Sequence, residues 1–128
     1  MKTQYTVGLA VIVGIGLGAV AVEGLHAQAK PPIYYIGEID VTNPAYLKEY
    51  APKAQALIKK SGGRFAAAGE KVTAIEGQPP KSRVVVLVWD SMEKIQAWRN
   101  SAEFKENRKI GDKYAKFRAF TVEGLPQQ

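Results

Sequence analysis

Apolar positions recur with period two in some stretches of the chain and near 3.6 in others, and the changes of period divide it into elements. Ile33–Val41 reads IYYIGEIDV, rich in aromatic and β-branched residues, with Glu38 and Asp40 alternating with Ile39 and Val41. That pattern predicts a strand. Thr42-Asn43-Pro44 follows as a helix start, with Asn43 as N-cap and Pro44 at the first helical position. Tyr46, Leu47, Tyr50, Ala54, Leu57 and Ile58 then fall on one helical face, with lysines opposite. Pro52 lies inside this pattern and lacks the N–H that would bond the carbonyl of Lys48, so a kink is expected there. Gly62-Gly63 stops the helix.

Arg64–Ala68 predicts a short strand, Gly69-Glu70-Lys71 a turn, and Val72–Glu76 a second short strand ended by Gly77-Gln78-Pro79-Pro80. Ser82–Trp89 holds the run VVVLVW and reads as a strand buried on both faces. Asp90 or Ser91 caps a helix marked by Ile95 and Trp98. A break near Asn100-Ser101 separates it from a second helical piece, Ala102 to about Lys113. Lys116–Glu123 is the last strand. The order is β-α-β-β-α-β, the α+β ferredoxin-like sandwich in which helices cover one face of an antiparallel sheet. In Ser82–Trp89, Val84, Val86 and Val88 point one way and Val85, Leu87 and Trp89 the other, so the second sheet face also needs cover. The economical cover is the same face of a second copy, which makes a homodimer. Leu87 belongs to that contact if its face is the one that meets the partner. The alternative is a loop or the C-terminal segment folded over the sheet.

The start of the chain has a different pattern. Thr6–Val22 carries no charge, Lys2 precedes it, and Ala27-Gln28-Ala29 follows, which are the three parts of a secretory signal. The run is near the lower limit for a membrane span, and Gly8, Gly14, Gly16 and Gly18 dilute its helix propensity. Cleavage after Ala29 is therefore expected, a retained anchor being the alternative. Residues 1–29 are then the signal and 30–128 a single domain, periplasmic or secreted, with no stable membrane insertion after cleavage. Gly14, Gly16 and Gly18 have neither a preceding strand nor a following amphipathic helix and make no nucleotide loop.

Export changes what chemistry is available. The 128 residues contain no cysteine, and the one histidine, His26, leaves with the signal. Ser-His-Asp and Cys-His catalysis, histidine-ligated haem and ordinary zinc sites are thereby excluded from the exported domain, and no cofactor is implied. The net charge of +6 survives cleavage, because Lys2 and Glu23 leave together. The basic set Arg108, Lys109, Lys113, Lys116 and Arg118 is interleaved with Glu106 and Asp112 and reads as a solvated face. No nucleic-acid partner is expected.

GGRFAAAGE (Gly62–Glu70), EG (Glu76-Gly77) and RVVVLVWDSMEKIQAW (Arg83–Trp98) together resemble the domain-of-unknown-function 1330 family, and IDVTNPAYLKEY and FRAFTVEG fit the same pattern. The resemblance covers Ile33 to about Leu125. It implies a dimeric α+β barrel of ferredoxin-like subunits and no established reaction. Related dimeric barrels include cofactorless monooxygenases, dismutases and isomerases that act on small hydrophobic molecules, an analogy of fold only.

The remaining acids and bases are carboxylates, tyrosines and lysines. Glu38 and Asp40 share a face of the first strand with Tyr34 and Ile36. If that face lines the space between two sheets, Glu38 and Asp40 are the pocket carboxylates. Arg64, Arg83 and Arg118 are then available as charge partners, and Trp89 as a neighbouring indole. The plainer alternative is that Asp40 helps cap the helix and Glu38 makes a structural ion pair. Tyr46, Tyr50 and Trp98 read as packing. Two functions fit: a homodimer that binds a small molecule between its sheets without catalysis, or a cofactor-independent oxygenase or isomerase with Glu38 or Asp40 as proton shuttle.

Overall fold

The computed structural model describes residues 30–126; the predicted signal lies outside them. Pro32–Leu125 forms one unit. Its strands are β1 (Ile33–Val41), β2 (Arg64–Gly69), β3 (Arg83–Trp89) and β4 (Ala115–Glu123), and they form one antiparallel sheet in the order β2-β3-β1-β4. A π-helical turn at Tyr46–Tyr50 runs into α1 (Ala51–Lys60), and α2 (Met92–Asn100) and α3 (Ala102–Gly111) follow β3. This is the α+β ferredoxin-like arrangement that the periodicities predict.

Local chemistry sets the boundaries. Asn43 Oδ1 accepts from the Ala45 N–H at 2.8 Å, and its carbonyl accepts from the Tyr46 N–H, which together turn the chain into the helix. The distortion expected at Pro52 takes the form of the π turn. The Ala51 N–H reaches back to the Tyr46 carbonyl, and the wider turn ends where Pro52 cannot donate. Gly62, at φ +94°, closes α1 in a conformation that costs other residues strain. Ser91 and Ser101 cap α2 and α3 by accepting from the N–H groups of Lys94 and Phe104. Ser101 is extended, so the two helices are separate.

The second short strand predicted at Val72–Glu76 does not form. Residues 70–82 are irregular, and Ile75 is 92% exposed. The segment has β-branched residues but no face to bury, and propensity without burial does not make a strand.

Strand parity settles which residues meet the helices. Tyr35, Leu87 and Trp89 pack with Leu57, Ile58, Ile95, Trp98 and Phe104. Leu87 is therefore in the helix-side core at 1% exposure, so the condition under which it would meet a partner is not fulfilled. A second cluster joins Ile39 to Tyr46, Tyr50, Ala51 and Ala115. Among the described residues, no helix covers the opposite face. There Ala67, Val86, Ile36 and Phe120 form one row across the four strands, and Arg64, Val88, Tyr34 and Val122 form the next.

Candidate functional site

The candidate site lies between the sheet and the helices. The two hydrophobic clusters share only Val85, and a cavity of about 70 Å³ is lined by residues of both. Small residues line it: Gly37 on β1, Ala119 beside it on β4, and Ala51 and Ala54 on α1. A side chain at Gly37 would place its Cβ 2.9 Å from Val85 Cγ2, so the central strand admits nothing larger there. Aromatic rings close the sides, with Tyr50 5.6 Å and Tyr46 6.3 Å from Phe117 at one end and Trp98 4.9 Å from Phe104 at the other.

Polar groups converge on this apolar space. Asn107 of α3 is 6% exposed and lines the cavity with its amide. The next residue, Arg108, lays its guanidinium 3.8 Å over the Phe117 ring and 4.7 Å over Phe104, and its Nε donates to Tyr50 Oη at 3.1 Å. Its terminal N–H groups remain free to donate. Arg83 of β3 has a side chain only 16% exposed and lies 3.8 Å from Glu70 Oε2, beyond hydrogen-bond distance. Burial, reinforced by neighbouring Tyr50, pushes the Tyr46 phenol up to about 12 against the opposing pull of Arg83 and Arg108. Tyr46 is therefore a neutral donor at ordinary pH. The buried indole N–H of Trp98, another lining residue, lacks a partner among the described residues. Such an orphaned polar group is uncommon in a finished core. What they offer together is a set of donors around a small aromatic chamber.

The residues singled out from the sequence divide between the two sides of the sheet. Tyr34, Glu38 and Asp40 share the helix-free face, as alternation requires. There Glu38 Oε2 accepts from Arg118 Nη1 at 2.6 Å, across the β1–β4 pair. Asp40 stands opposite Lys116. Arg64 is exposed at the start of β2, across from Val88. Arg83 and Trp89 belong to the other side. Trp89 is fully buried and donates its indole N–H to Ser61 Oγ at 3.0 Å, so it packs the core and cannot contribute to a site on the open face. Placing Arg83 and Trp89 with Glu38 ignored their parity, which puts them across the sheet from it. Arg108, read from the sequence as part of a solvated face, is half-buried over aromatic rings. Among the described residues, no cluster of acidic residues or histidines suited to a metal occurs, and no helix is long and apolar enough to cross a membrane.

Sheet, helices and chamber define a ferredoxin-like α+β domain with an internal cavity. Residues 32–125 match the family described as Domain of unknown function (DUF1330), and the chain belongs to that family. No curated protein matches it in sequence. Among solved structures it is similar to a protein of unknown function from Rhodopseudomonas palustris, with a TM-score of 0.61 and 13% identity over 84% of this chain and 92% of that one. It is also similar to SnoaB, described as a cofactor-independent oxygenase from Streptomyces nogalater, with a TM-score of 0.56 and 11% identity over 74% and 94% of the two chains. A third is described as a dimeric protein of unknown function and ferredoxin-like fold from Bacteroides fragilis, with a TM-score of 0.52 and 13% identity over 72% and 95%. At these identities the likeness is one of fold.

Proposed function

We propose that the protein is an exported homodimer whose subunits each bind a small organic molecule in the cavity between sheet and helices. The observation that carries this reading is the chamber itself, apolar walls with the buried amide of Asn107, the unpartnered indole N–H of Trp98 and the guanidinium of Arg108 at its edge. Binding sites for small molecules have this composition, a mostly apolar lining with a few placed polar groups. The pocket between two sheets expected from the sequence needs a partner copy to form, whereas a cavity on the helix side is lined within one subunit, and the proposal rests on that one.

Dimerisation is supported by the helix-free sheet face. Phe120 is 44% and Val122 54% exposed, beside half-buried Ile36, Val84 and Val86. A contiguous apolar face of this kind calls for a partner, and the Bacteroides fragilis neighbour is described as dimeric. Export is supported by the first 29 residues. A second reading, a cofactor-independent oxygenase acting on a small hydrophobic substrate, is favoured by the printed description of SnoaB. On that reading the proton-handling groups belong to the chamber, because Glu38 and Asp40 lie across the sheet from it.

Native mass spectrometry of the protein purified from its own cells tests the proposal. The expected spectrum is a dimer with a non-covalent organic adduct that collisional activation removes. A monomer without any adduct would contradict both halves of the reading.

A further inference from the structure

We propose that the helix–sheet cavity selects a small planar organic anion, a carboxylate or enolate on an apolar body, held between Arg83, Arg108 and Asn107. This rests on the reading of the cavity as a binding site and adds the charge and shape of the ligand.

The lining sets the charge. Two arginine side chains, Arg83 and Arg108, reach it on the helix side, and it has no carboxylate or lysine. Arg118 is committed to Glu38. Arg83 is mostly buried; one of its N–H groups faces the Tyr46 hydroxyl, and Glu70 lies at 3.8 Å, within ion-pair reach but beyond hydrogen-bond distance, which leaves further donors unused. Arg108 has no carboxylate within ion-pair distance among the described residues; its neighbours are the faces of Phe104 and Phe117 and the hydroxyl of Tyr50. Aromatic faces attract a guanidinium but use none of its N–H groups. Two cations with unused donors at a low-dielectric chamber make a site for an anion, and their planar forks suit a carboxylate. Asn107 adds an amide that is more than nine-tenths buried, and the indole N–H of Trp98 is buried without a partner among the described residues. A neutral apolar ligand would leave all of these groups unsatisfied.

The walls set the shape. Tyr35, Tyr46, Tyr50, Trp98, Phe104 and Phe117 surround the space with flat surfaces. A volume of about 70 Å³ compares with roughly 10–15 Å³ needed for one water. Several heavy atoms fit, on the scale of a single ring with one acidic group, and fused polycyclic molecules do not.

Calorimetric titration of the full-length protein with benzoate and with benzamide, its neutral isostere, tests the proposal. Benzoate is expected to bind at least tenfold more tightly. In Arg108→Met, which keeps the apolar stem, that advantage should fall at least tenfold while circular dichroism is unchanged. Ala54→Leu, which fills the cavity, should abolish binding of both compounds, and Ala119→Leu makes the same test from the opposite wall if the first variant does not fold. Equal binding of the two compounds overturns the anion proposal and leaves the cavity standing as a binding site. Undiminished binding to a folded cavity-filled variant overturns the cavity reading as well. Failure of benzoate to bind the wild type overturns the proposal.

Discussion

Two neighbouring substitutions on β3 separate the two faces of the sheet. Leu87 is 1% exposed and packs between the sheet and the helices, whereas Val86 lies half-buried on the helix-free face. Leu87→Lys forfeits about 1.5–3 kcal/mol of apolar burial. It also places an ammonium where no carboxylate lines the space, at several kcal/mol more. Domains of this size are stable by about 5–15 kcal/mol in total, so the variant should fail to fold or fold only in part. Val86→Lys in a single subunit costs little, because a lysine at a half-buried sheet position can extend its ammonium into water. In a face-to-face dimer the same change acts twice. Each subunit loses the burial of one valine, about 1.5 kcal/mol at the low end, so association weakens by about 3 kcal/mol before any charge repulsion, or roughly a hundredfold. Sedimentation velocity should therefore show Val86→Lys as a folded monomer at micromolar concentrations where the wild type is dimeric. Near-ultraviolet circular dichroism should show native tertiary packing in Val86→Lys and none in Leu87→Lys. A Val86→Lys protein that dimerises with wild-type affinity would refute the sheet-face contact. A well-folded Leu87→Lys protein would refute the parity.

Asn107→Leu should leave the melting temperature at or above the wild-type value and should weaken ligand retention, because the buried amide lines the cavity. A fall in melting temperature would mean that the amide serves the fold. Because the Tyr46 phenol is pushed up to about 12, stability is complete below the ordinary tyrosine value near 10. It should fall as pH rises from there towards 12, by on the order of 2 kcal/mol. Chemical denaturation at pH 9 and pH 11.5 checks this, and Tyr46→Phe should lack that part of the loss. N-terminal sequencing of the protein recovered from its own cells should read Lys30 first; Met1 on membrane-bound protein would contradict cleavage.

The elements were legible because each carries a local signal. Alternation marks β1, serines before apolar periodicity mark α2 and α3, and paired glycines mark the end of α1. Parity was legible within each strand but not its direction, because Ser82–Trp89 is apolar on both faces and nothing local distinguishes Leu87 from Val86. The helices decide that, and they are distant in sequence. Val72–Glu76 misled for a related reason, since β-branched residues predict a strand only where a surface exists to bury them. The cavity left the faintest trace. It arises where Gly37, Ala54 and Ala119 meet across three elements, and small residues contribute no periodic signal. Gly37 in the interior of a strand was the one available pointer. Asn107 and Arg108 were hidden in a helix rich in charge, where only tertiary structure shows that this turn faces inward.

Which side of the sheet holds the ligand is the central question, and a nuclear magnetic resonance titration with benzoate answers it directly. The chain has two tryptophans, so the indole N–H region should contain two resolved signals. Trp98 lines the cavity with an unpartnered N–H, whereas the N–H of Trp89 is already bonded to Ser61. Benzoate should shift the Trp98 indole signal, the Asn107 side-chain amide and the Gly37 backbone amide together, with one saturation curve. Shifts confined to Tyr34, Ile36, Glu38 and Arg118, with the Trp98 and Asn107 signals unmoved, would place the ligand on the helix-free face and contradict the account.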